Sequence, residues 1–549
     1  MRVAVLASHT TDFYVELLPV AALAADIDLA VHQMPFGMLE QSLLPCAAEL
    51  IAFAPDYVVL AGTAEDLRGV RQNQPAEEVV QNAVERWTGL WTLVREQLHA
   101  KVVQHTFVPT GEDPYGNAAA GVPEAPDSVV AAVNAQLWRR GAGEVLFVDC
   151  SRLAARFGID RWRDPRFWGT LRQPVTLNAV GMIAQATAGV IAADLGLTKR
   201  CVVVDLDNTL WDGVIGEDGF AGVAIGTGHR GEAFAAFQDY LSGLRSRGMA
   251  LAVASKNDFT LVKEAFTRVP GMRLHLDDFA VVVADWRPKS QQLADIAARM
   301  RLGVESLAFV DDNPAECAEV SAALPQVDVV ALPADPATYV SMLRDRPTLA
   351  AGVLTLDDHK RAASYQALEQ AQELRRQGGS LTEFLDGLQM RSRVRRLDEA
   401  ALARAVQLLQ KTNQFNLTTR RHSLEELTRM ARDPGWGCYT LSLSDRFADH
   451  GIVGLLLLEI DGAVGRIDTL LLSCRVIGRT AERRLLALGA ADAGCDRLVG
   501  WHIPTERNGL VRELYPQLGF VDATDNGRQA WIRDGLADLD SPHIFEERE

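Results

Sequence analysis

Cysteine is sparse and scattered in this 549-residue chain: there are seven, and none forms a Cys-x-x-Cys pair. Disulfide staples and a structural zinc site are therefore not expected. No apolar run is long enough to span a bilayer. The start, Met1-Arg2-Val3-Ala4-Val5-Leu6-Ala7, reads as a first strand rather than a signal peptide, because Asp12 and Glu16 interrupt any longer apolar segment. A cytoplasmic, reducing location is the expectation. Cations are outnumbered, and the net charge of −17 argues against general affinity for nucleic acid or for an anionic membrane surface. An acidic protein partner would need a local basic patch. What is present is 48% hydrophobic and 23% charged residue, the balance of a globular enzyme. The length suits roughly two to four domains, each able to bury its own core.

The first segment, residues 1–195, alternates apolar strands with helical stretches. Val3–Ala7, Leu29–His32, Tyr57–Ala61, Val102–Phe107 and Val145–Val148 are the candidate strands, and their rhythm implies a parallel, doubly wound sheet. A Pro/Gly-rich loop from Val108 to Pro126 interrupts it. Ser8 follows the first strand, where an SGNH-type hydrolase carries its nucleophile. The terminal Asp-x-x-His signature of such enzymes is not visible near Asp149 or Asp160, so the expectation is a degenerate flavodoxin/SGNH-like scaffold or docking domain. His9 and His105 read as structural.

The most informative stretch is Val202-Val203-Val204-Asp205-Leu206-Asp207-Asn208-Thr209-Leu210, an apolar strand ending in two aspartates placed two apart. Carboxylates at the C-terminal tip of a strand in an open α/β sheet make a cradle for Mg²⁺ and phosphate. One can attack phosphorus while the other handles the proton. A second strand, Leu251–Ala254, ends in Ser255-Lys256-Asn257, whose hydroxyl suits a phosphate oxygen. Lys289 supplies a cation. A third strand, Leu307–Val310, ends in Asp311-Asp312-Asn313-Pro314, which completes an oxygen-rich metal site. This ordered set resembles the haloacid dehalogenase (HAD) phosphatase superfamily and implies a Rossmann-like core over residues 198–345. Between Trp211 and Met249 there is room only for a Gly-rich flap (Gly213, Gly216, Gly219) and one helix around Phe234–Leu244. The interval from Ser255 to Lys289 is equally short. No large cap fits, so an open site is expected.

Residues 346–385 read as a charged helical linker with a joint at Arg375-Arg376-Gln377-Gly378-Gly379-Ser380. Residues 386–549 change character to α+β, with strands at Met390–Arg396, Tyr439–Leu443, Ile452–Ile460, Val464–Leu472 and Leu498–His502. Ser473-Cys474-Arg475-Val476-Ile477-Gly478-Arg479-Thr480 then opens a helix, Ala481–Ala491. Arg-x-x-Gly-x-Thr at a strand-to-helix turn suits a pyrophosphate. It approximates the loop of GNAT acyltransferases, as do Asn508, Tyr515 and Leu518-Gly519-Phe520.

The segment Asp205–Gly219, with Phe309–Glu316, Lys411–Thr419 and Ser473–Arg479, resembles the FkbH family in its long form: SGNH-like, HAD, then GNAT-like. Asp212 departs from the family, which more often has glycine there. The resemblance implies a phosphatase and glyceryl transferase that takes 1,3-bisphosphoglycerate and loads a glyceryl unit onto the phosphopantetheine arm of an acyl carrier protein, for polyketide biosynthesis of the methoxymalonyl or tetronate type. Asp205 is then the carboxylate engaging phosphorus and Mg²⁺, and Asp207 the general acid/base with its carbonyl also near the metal. Asp311 is a metal ligand with Asp312 in support, and Ser255 and Lys289 bind phosphate. Cys474 is the expected acyl acceptor, its thiol activated by the helix N-terminus, Arg475 and Arg479. A buried cysteine that only packs is the competing reading. Cys317 is its rival, whereas Cys46, Cys150, Cys201, Cys438 and Cys495 read as core. Asn413, Gln414 and Asn416 are candidates for the glyceryl hydroxyls or for helix-end capping. Arg475, Gly478, Arg479, His502 and Asn508 are candidates for the pantetheine groove. Arg420, Arg421, Arg475, Arg479, Arg483 and Arg484 form the expected basic patch for a carrier protein.

The alternatives are a plain Mg²⁺-dependent phosphatase whose GNAT-like part only binds a carrier protein, a docking scaffold without turnover, and a true N-acetyltransferase.

Overall fold

The computed structural model describes residues 1–44, 47–67, 74–352, 356–376, 380–505, 508–525 and 528–547. Cys46 and the centre of the Arg375–Ser380 joint lie outside the described residues. The chain forms two compact units, residues 1–198 with 346–354, and residues 199–345 with 355–549.

In the first unit five strands, β1 (Arg2–Ala7), β2 (Ala30–Gln33), β3 (Tyr57–Ala61), β4 (Lys101–His105) and β5 (Leu146–Val148), form one parallel sheet in the order β2-β1-β3-β4-β5. Apolar runs such as Val3–Leu6 are buried on both faces, as a parallel sheet requires. One face is covered by Trp87, Leu90, Trp91 and Val94 of helix Ala76–Leu98. Helices Asp12–Leu23 and Leu177–Asp194 cover the other. The strand order reverses between β1 and β3, where such sheets open a crevice at their C-terminal ends. Helix Leu177–Asp194 is long and apolar enough by composition to cross a membrane, yet 56% of it is buried inside the fold.

The second unit carries two sheets. Strands β6 (Cys201–Val204), β7 (Ala250–Ser255), β8 (Val281–Ala284), β9 (Leu307–Asp311) and β10 (Asp328–Ala331) are parallel, in the order β10-β9-β6-β7-β8. The sequence reading found the three central strands and missed the four-residue edge strands β8 and β10. Between β6 and β7 lie only the segment Ile215–Gly222 and helix Gly228–Ser246. The former is broken at Gly219, whose φ of 64° and ψ of 178° suit glycine.

The other sheet comprises β11 (Met390–Arg396), β12 (Trp436–Ser444), β13 (Asp449–Asp461), β14 (Val464–Leu472), β15 (Arg497–Gly500), β16 (Val521–Asp525), β17 (Arg528–Asp534) and β18 (Ile544–Glu546), ordered β16-β17-β15-β14-β13-β12-β11-β18. It is antiparallel except at β14/β15 and β11/β18. Helix Ala481–Asp492 packs on one face through Leu485, Leu486 and Ala490. Helix Glu399–Lys411 packs on the other through Leu402, Ala405 and Leu409.

The expected linker, residues 346–385, is divided. Residues 346–354 join the first unit. Helix Arg361–Arg376 buries Tyr365 in the core of the five-stranded sheet and Ala371 in that of the eight-stranded sheet.

Candidate functional site

Three neighbouring strands of the second unit end in polar groups at one edge. The chain leaves β6 at Asp205, β7 ends at Ser255 and β9 ends at Asp311. Parallel hydrogen bonding of β6 between β7 and β9 brings these ends side by side. The carboxylates of Asp205, Asp311 and Asp312 lie within 4.8 Å of one another. Lys289 opens helix Lys289–Met300 and is only 2% exposed. Its Nζ donates to Asp205 Oδ1 at 2.6 Å and to the Ala254 carbonyl at 2.6 Å. It stands 3.3 Å from Asp311 Oδ2, within ion-pair reach. That oxygen nevertheless lacks a hydrogen bond of proper geometry and is fully buried.

The electrostatics follow from burial. Desolvation pushes the Asp205 carboxyl up, with Lys289 pulling the other way. Desolvation and then Asp205 push Asp311 up to about 7, again against Lys289. Asp312 is raised by burial, partly offset by its hydrogen bond from Thr209. Burial opposes the charge on Lys289, but Asp205 and Asp311 outweigh it and hold its pKa above the ordinary value.

Three carboxylates against one ammonium leave excess negative charge. All-oxygen donors and an orphaned buried oxygen fit a hard divalent cation such as Mg²⁺. Asp205, Asp311 and Asp312 would hold it, and bound there it would neutralise and orient phosphate oxygens.

Asp207 stands apart from this trio. Its Oδ1 accepts from Trp211 Nε1 and the Ile215 amide, both at 3.0 Å, and its Oδ2 accepts from Asn257 Nδ2 at 2.8 Å. Among the described residues only Asp205, Asp311 and Asp312 group as side-chain ligands, and three donors hold both carboxylate oxygens of Asp207. Ser255 is 1% exposed and accepts from the same Asn257 amide at 3.2 Å. Asp212, the departure from the resembled pattern, is tied to Arg230 through both oxygens. Cys317 is buried against the Asp311 carbonyl, and burial pushes its thiol up to about 12. It stays protonated at neutral pH and is a poor nucleophile.

The turn after β14 differs from expectation. Arg475 is 1% exposed and donates inward, from Nε to Ser473 Oγ at 3.1 Å and from Nη1 to Ser364 Oγ at 2.9 Å. Arg479 is 2% exposed, paired with Asp445 and 3.0 Å from His450 Nε2. Cys474 is half-buried against the core of the five-stranded sheet, with Tyr365 Oη 3.9 Å from its sulfur. Neither arginine is hydrogen-bonded to that thiol.

The expected basic patch is likewise corrected. Two of its members are buried, Arg420 pairs with Asp468, and Arg484 pairs with Asp540. Arg421 donates to Asn413 Oδ1 at 2.6 Å and to the Thr412 carbonyl at 3.2 Å. Arg483 and Gln414 are half-buried.

Asn416 and Asn508 are fully buried and act as pins: Asn508 Nδ2 donates to the carbonyls of Asn416 (3.1 Å) and Ile503 (2.9 Å), and Asn416 Oδ1 accepts from the Thr419 amide. Neither is open to a ligand. His502 has a buried Nε2 without a partner, and burial lowers its pKa against a hydrogen bond with Asn508. Cys150, Cys201, Cys438 and Cys495 are buried, as expected of core residues.

In the first unit Ser8 Oγ donates to Asp66 Oδ2 at 2.5 Å rather than to a histidine. His105 is buried beside Tyr14 and Thr187.

Residues 2–192 match the FkbH N-terminal domain. The N-terminal region is FkbH-like. The crystal structure of the N-terminal part of the protein BF1531 from Bacteroides fragilis, containing a phosphatase domain complexed with Mg, is similar at 27% identity and a TM-score of 0.58, covering 65% of this chain and 94% of that one. Together these support a phosphatase-related role. The ribosomal-protein-S18-alanine N-acetyltransferase from Escherichia coli and the GNAT domain of S. lividans PAT each cover 26% of this chain and 90% of their own, at 16% and 13% identity. Their TM-scores are 0.20 and 0.21. No curated protein matches the chain.

Sequence reasoning passed over three supporting groups of the acidic site. Asn257 ties Asp207 to Ser255, Thr209 exchanges hydrogen bonds with Asp312, and Trp211 fixes Asp207. All three stood inside or beside the quoted motifs, and alternation of polar residues after a buried strand was the available signal.

Proposed function

We propose that the chain is a Mg²⁺-dependent phosphatase of HAD type joined to an acyl-transfer module, and that it converts 1,3-bisphosphoglycerate to a glyceryl thioester on the phosphopantetheine arm of an acyl carrier protein, for polyketide biosynthesis. The observation that carries this reading is the acidic trio clamped by buried Lys289, with Asp207 fixed beside it. Asp205 attacks phosphorus and forms an acyl phosphate as the bond to the departing substrate oxygen breaks. Asp207 gives that oxygen its proton, then takes one from the water that releases phosphate. Lys289 holds Asp205 in place from the Ala254 carbonyl and offsets negative charge on the phosphoryl group. Ser255, oriented by Asn257, donates to a phosphoryl oxygen. The short connections after β6 and β7 leave the site open to a protein-tethered substrate. For transfer, the Cys474 sulfur attacks the C1 carbonyl of the substrate's own acyl phosphate, the C1–O bond breaks and phosphate leaves with the thiol proton, and the carrier thiol then takes the glyceryl group by thioester exchange. No nucleic acid or membrane takes part.

The inward turn of Arg475 and Arg479 favours a second reading, a plain phosphatase whose C-terminal sheet only docks a carrier protein. Intact-protein mass spectrometry with Mg²⁺ and 1,3-bisphosphoglycerate separates the two. A glyceryl adduct lost in Cys474→Ala supports transfer. Phosphate release without an adduct supports the second reading, and phosphate release that survives Asp205→Asn defeats both.

A further inference from the structure

A cavity lies where helix Lys289–Met300 ends, helix Arg361–Arg376 passes and the turn after β14 begins. All of it belongs to the second unit. Counted out to its open mouth it encloses about 760 Å³. Arg301, Arg375 and Arg479 line it, and no carboxylate is among its described lining residues. Like charges so placed repel, and burial makes that repulsion stronger.

Arg479 is almost fully buried, and its link to Asp445 uses Nη1; its Nη2 is buried with no hydrogen-bond partner. Arg301 donates to the Ile477 carbonyl, so it already braces the turn. Burial, then Arg479 and Arg375, push the Arg301 pKa below its usual value. Arg375 is exposed at the mouth, over the ring of Phe384 at 5.7 Å. Asp445 balances one of these charges; the other two face the cavity with no lining carboxylate to match them. Among the described residues the remaining wall is Leu368, Ala371, Phe384 and Gly478, with the Gln372 amide as its one other polar side chain, whose Nε2 donates to the Arg299 carbonyl.

We propose that this cavity binds a phosphate-bearing ligand, its monoester or diester anion held by Arg301, Arg375 and Arg479 and its uncharged body lying on Leu368 and Phe384. Planar guanidinium groups match phosphate oxygens in pairs, and such charge-assisted bonds are the strong ones. The cavity is much larger than a phosphate group alone, which is why the ligand carries a body. Two sources share this chemistry, the phosphodiester of a carrier protein's pantetheine arm and a free phosphorylated metabolite. The inference rests on the proposed function only for the choice of pantetheine as probe.

The test is isothermal titration calorimetry on the full chain, in EDTA so that the acidic trio takes no metal. The probes are pantetheine 4′-phosphate, pantetheine and glycerol 3-phosphate. The phosphorylated pantetheine is expected to bind at least about tenfold more tightly than pantetheine, the worth of one charge-assisted hydrogen bond. That advantage should shrink with added salt and fall by about tenfold in Arg375→Gln and in Arg301→Gln. Arg375 is exposed, so its variant decides the matter if Arg301→Gln does not fold. Glycerol 3-phosphate binding as tightly as pantetheine 4′-phosphate also supports an anion site and assigns it to a small free ester. Equal affinity for pantetheine with and without phosphate overturns the proposal, as does an advantage that survives Arg375→Gln. Failure of Mg²⁺-dependent phosphate release would defeat the phosphatase reading and leave this result untouched.

Discussion

Replacing Lys289 by methionine removes the one buried cation from the acidic trio and keeps most of the side-chain volume. The lost groups are two 2.6 Å hydrogen bonds and a 3.3 Å ion pair. Breaking a buried ion pair by deleting one partner costs about 3–5 kcal/mol. The lower end applies here, because burial and Asp205 already push the Asp311 carboxyl up to about 7, so that it can take up a proton when Lys289 is gone. Raised acid pKa values mean that the folded state binds more protons than the unfolded one. The destabilisation is therefore smallest near pH 5 and grows as pH rises towards 8. For units of 150–250 residues 1 kcal/mol shifts the thermal midpoint by roughly 2–4 °C, and this unit is larger, so a fall of about 5 °C is expected at pH 7.5. Added Mg²⁺ should raise the midpoint more in the variant than in the parent, since a second cation then neutralises the same oxygens. Scanning calorimetry at pH 5 and pH 8, with Mg²⁺ and with EDTA, reads all of this. A midpoint unchanged at both pH values, or a Mg²⁺ response no larger than the parent's, refutes the picture of a charge-balanced pocket.

The parent should gain up to about 2.7 kcal/mol of stability at Mg²⁺ a hundredfold above its Kd, and Asp311→Asn should abolish that gain in the same scans. Asp207→Asn should slow phosphate release by about 10²–10⁴-fold, measured by phosphate assay, while leaving the Mg²⁺-induced midpoint shift in place. The first unit should weaken in mild acid. Burial holds His9 down to about 4 and His105 to about 3, whereas both take protons near 6.5 when unfolded. Between these values the unfolded chain carries more protons, so stability falls as pH drops from 6.5 towards 4, by up to about 1.4 kcal/mol per pH unit for each imidazole. A denaturant midpoint for that unit that stays flat across this range would contradict it. His105→Gln should flatten the slope by about half.

The strands at the heart of each sheet were legible because they are buried on both faces and written as unbroken apolar runs. Val202–Val204 and Leu307–Val310 are examples, and the aspartates that end them were legible for the same reason. In the second unit's parallel sheet the edge strands β8 and β10 escaped, being four residues each and paired on one side only. The acidic trio follows from strand order, but the isolation of Asp207 does not, since it depends on the Trp211 indole folding back within the same loop and on Asn257 arriving from the loop after β7. The arginines after β14 were misjudged for a physical reason. Charge in a sequence suggests solvent, yet Ser364 and Asp445, each distant along the chain, supply partners that let Arg475 and Arg479 fold inward. Arg301 and Arg375 were passed over because nothing in their own neighbourhoods marks them as sharing a wall.

Residues 346–354 return to the first unit after the chain has built the five-stranded sheet of the second. Gly189, in the apolar helix Leu177–Asp194, meets that returning segment so closely that a methyl group there would lie 3.0 Å from the Ala350 side chain. A protein cut at residue 195 would therefore expose a bare apolar stripe and tend to aggregate, although the cut falls in what reads as a gap between domains. The first fold is finished only after the ribosome has passed residue 350, so the phosphatase-like segment emerges as a guest inside a host still waiting for its last piece.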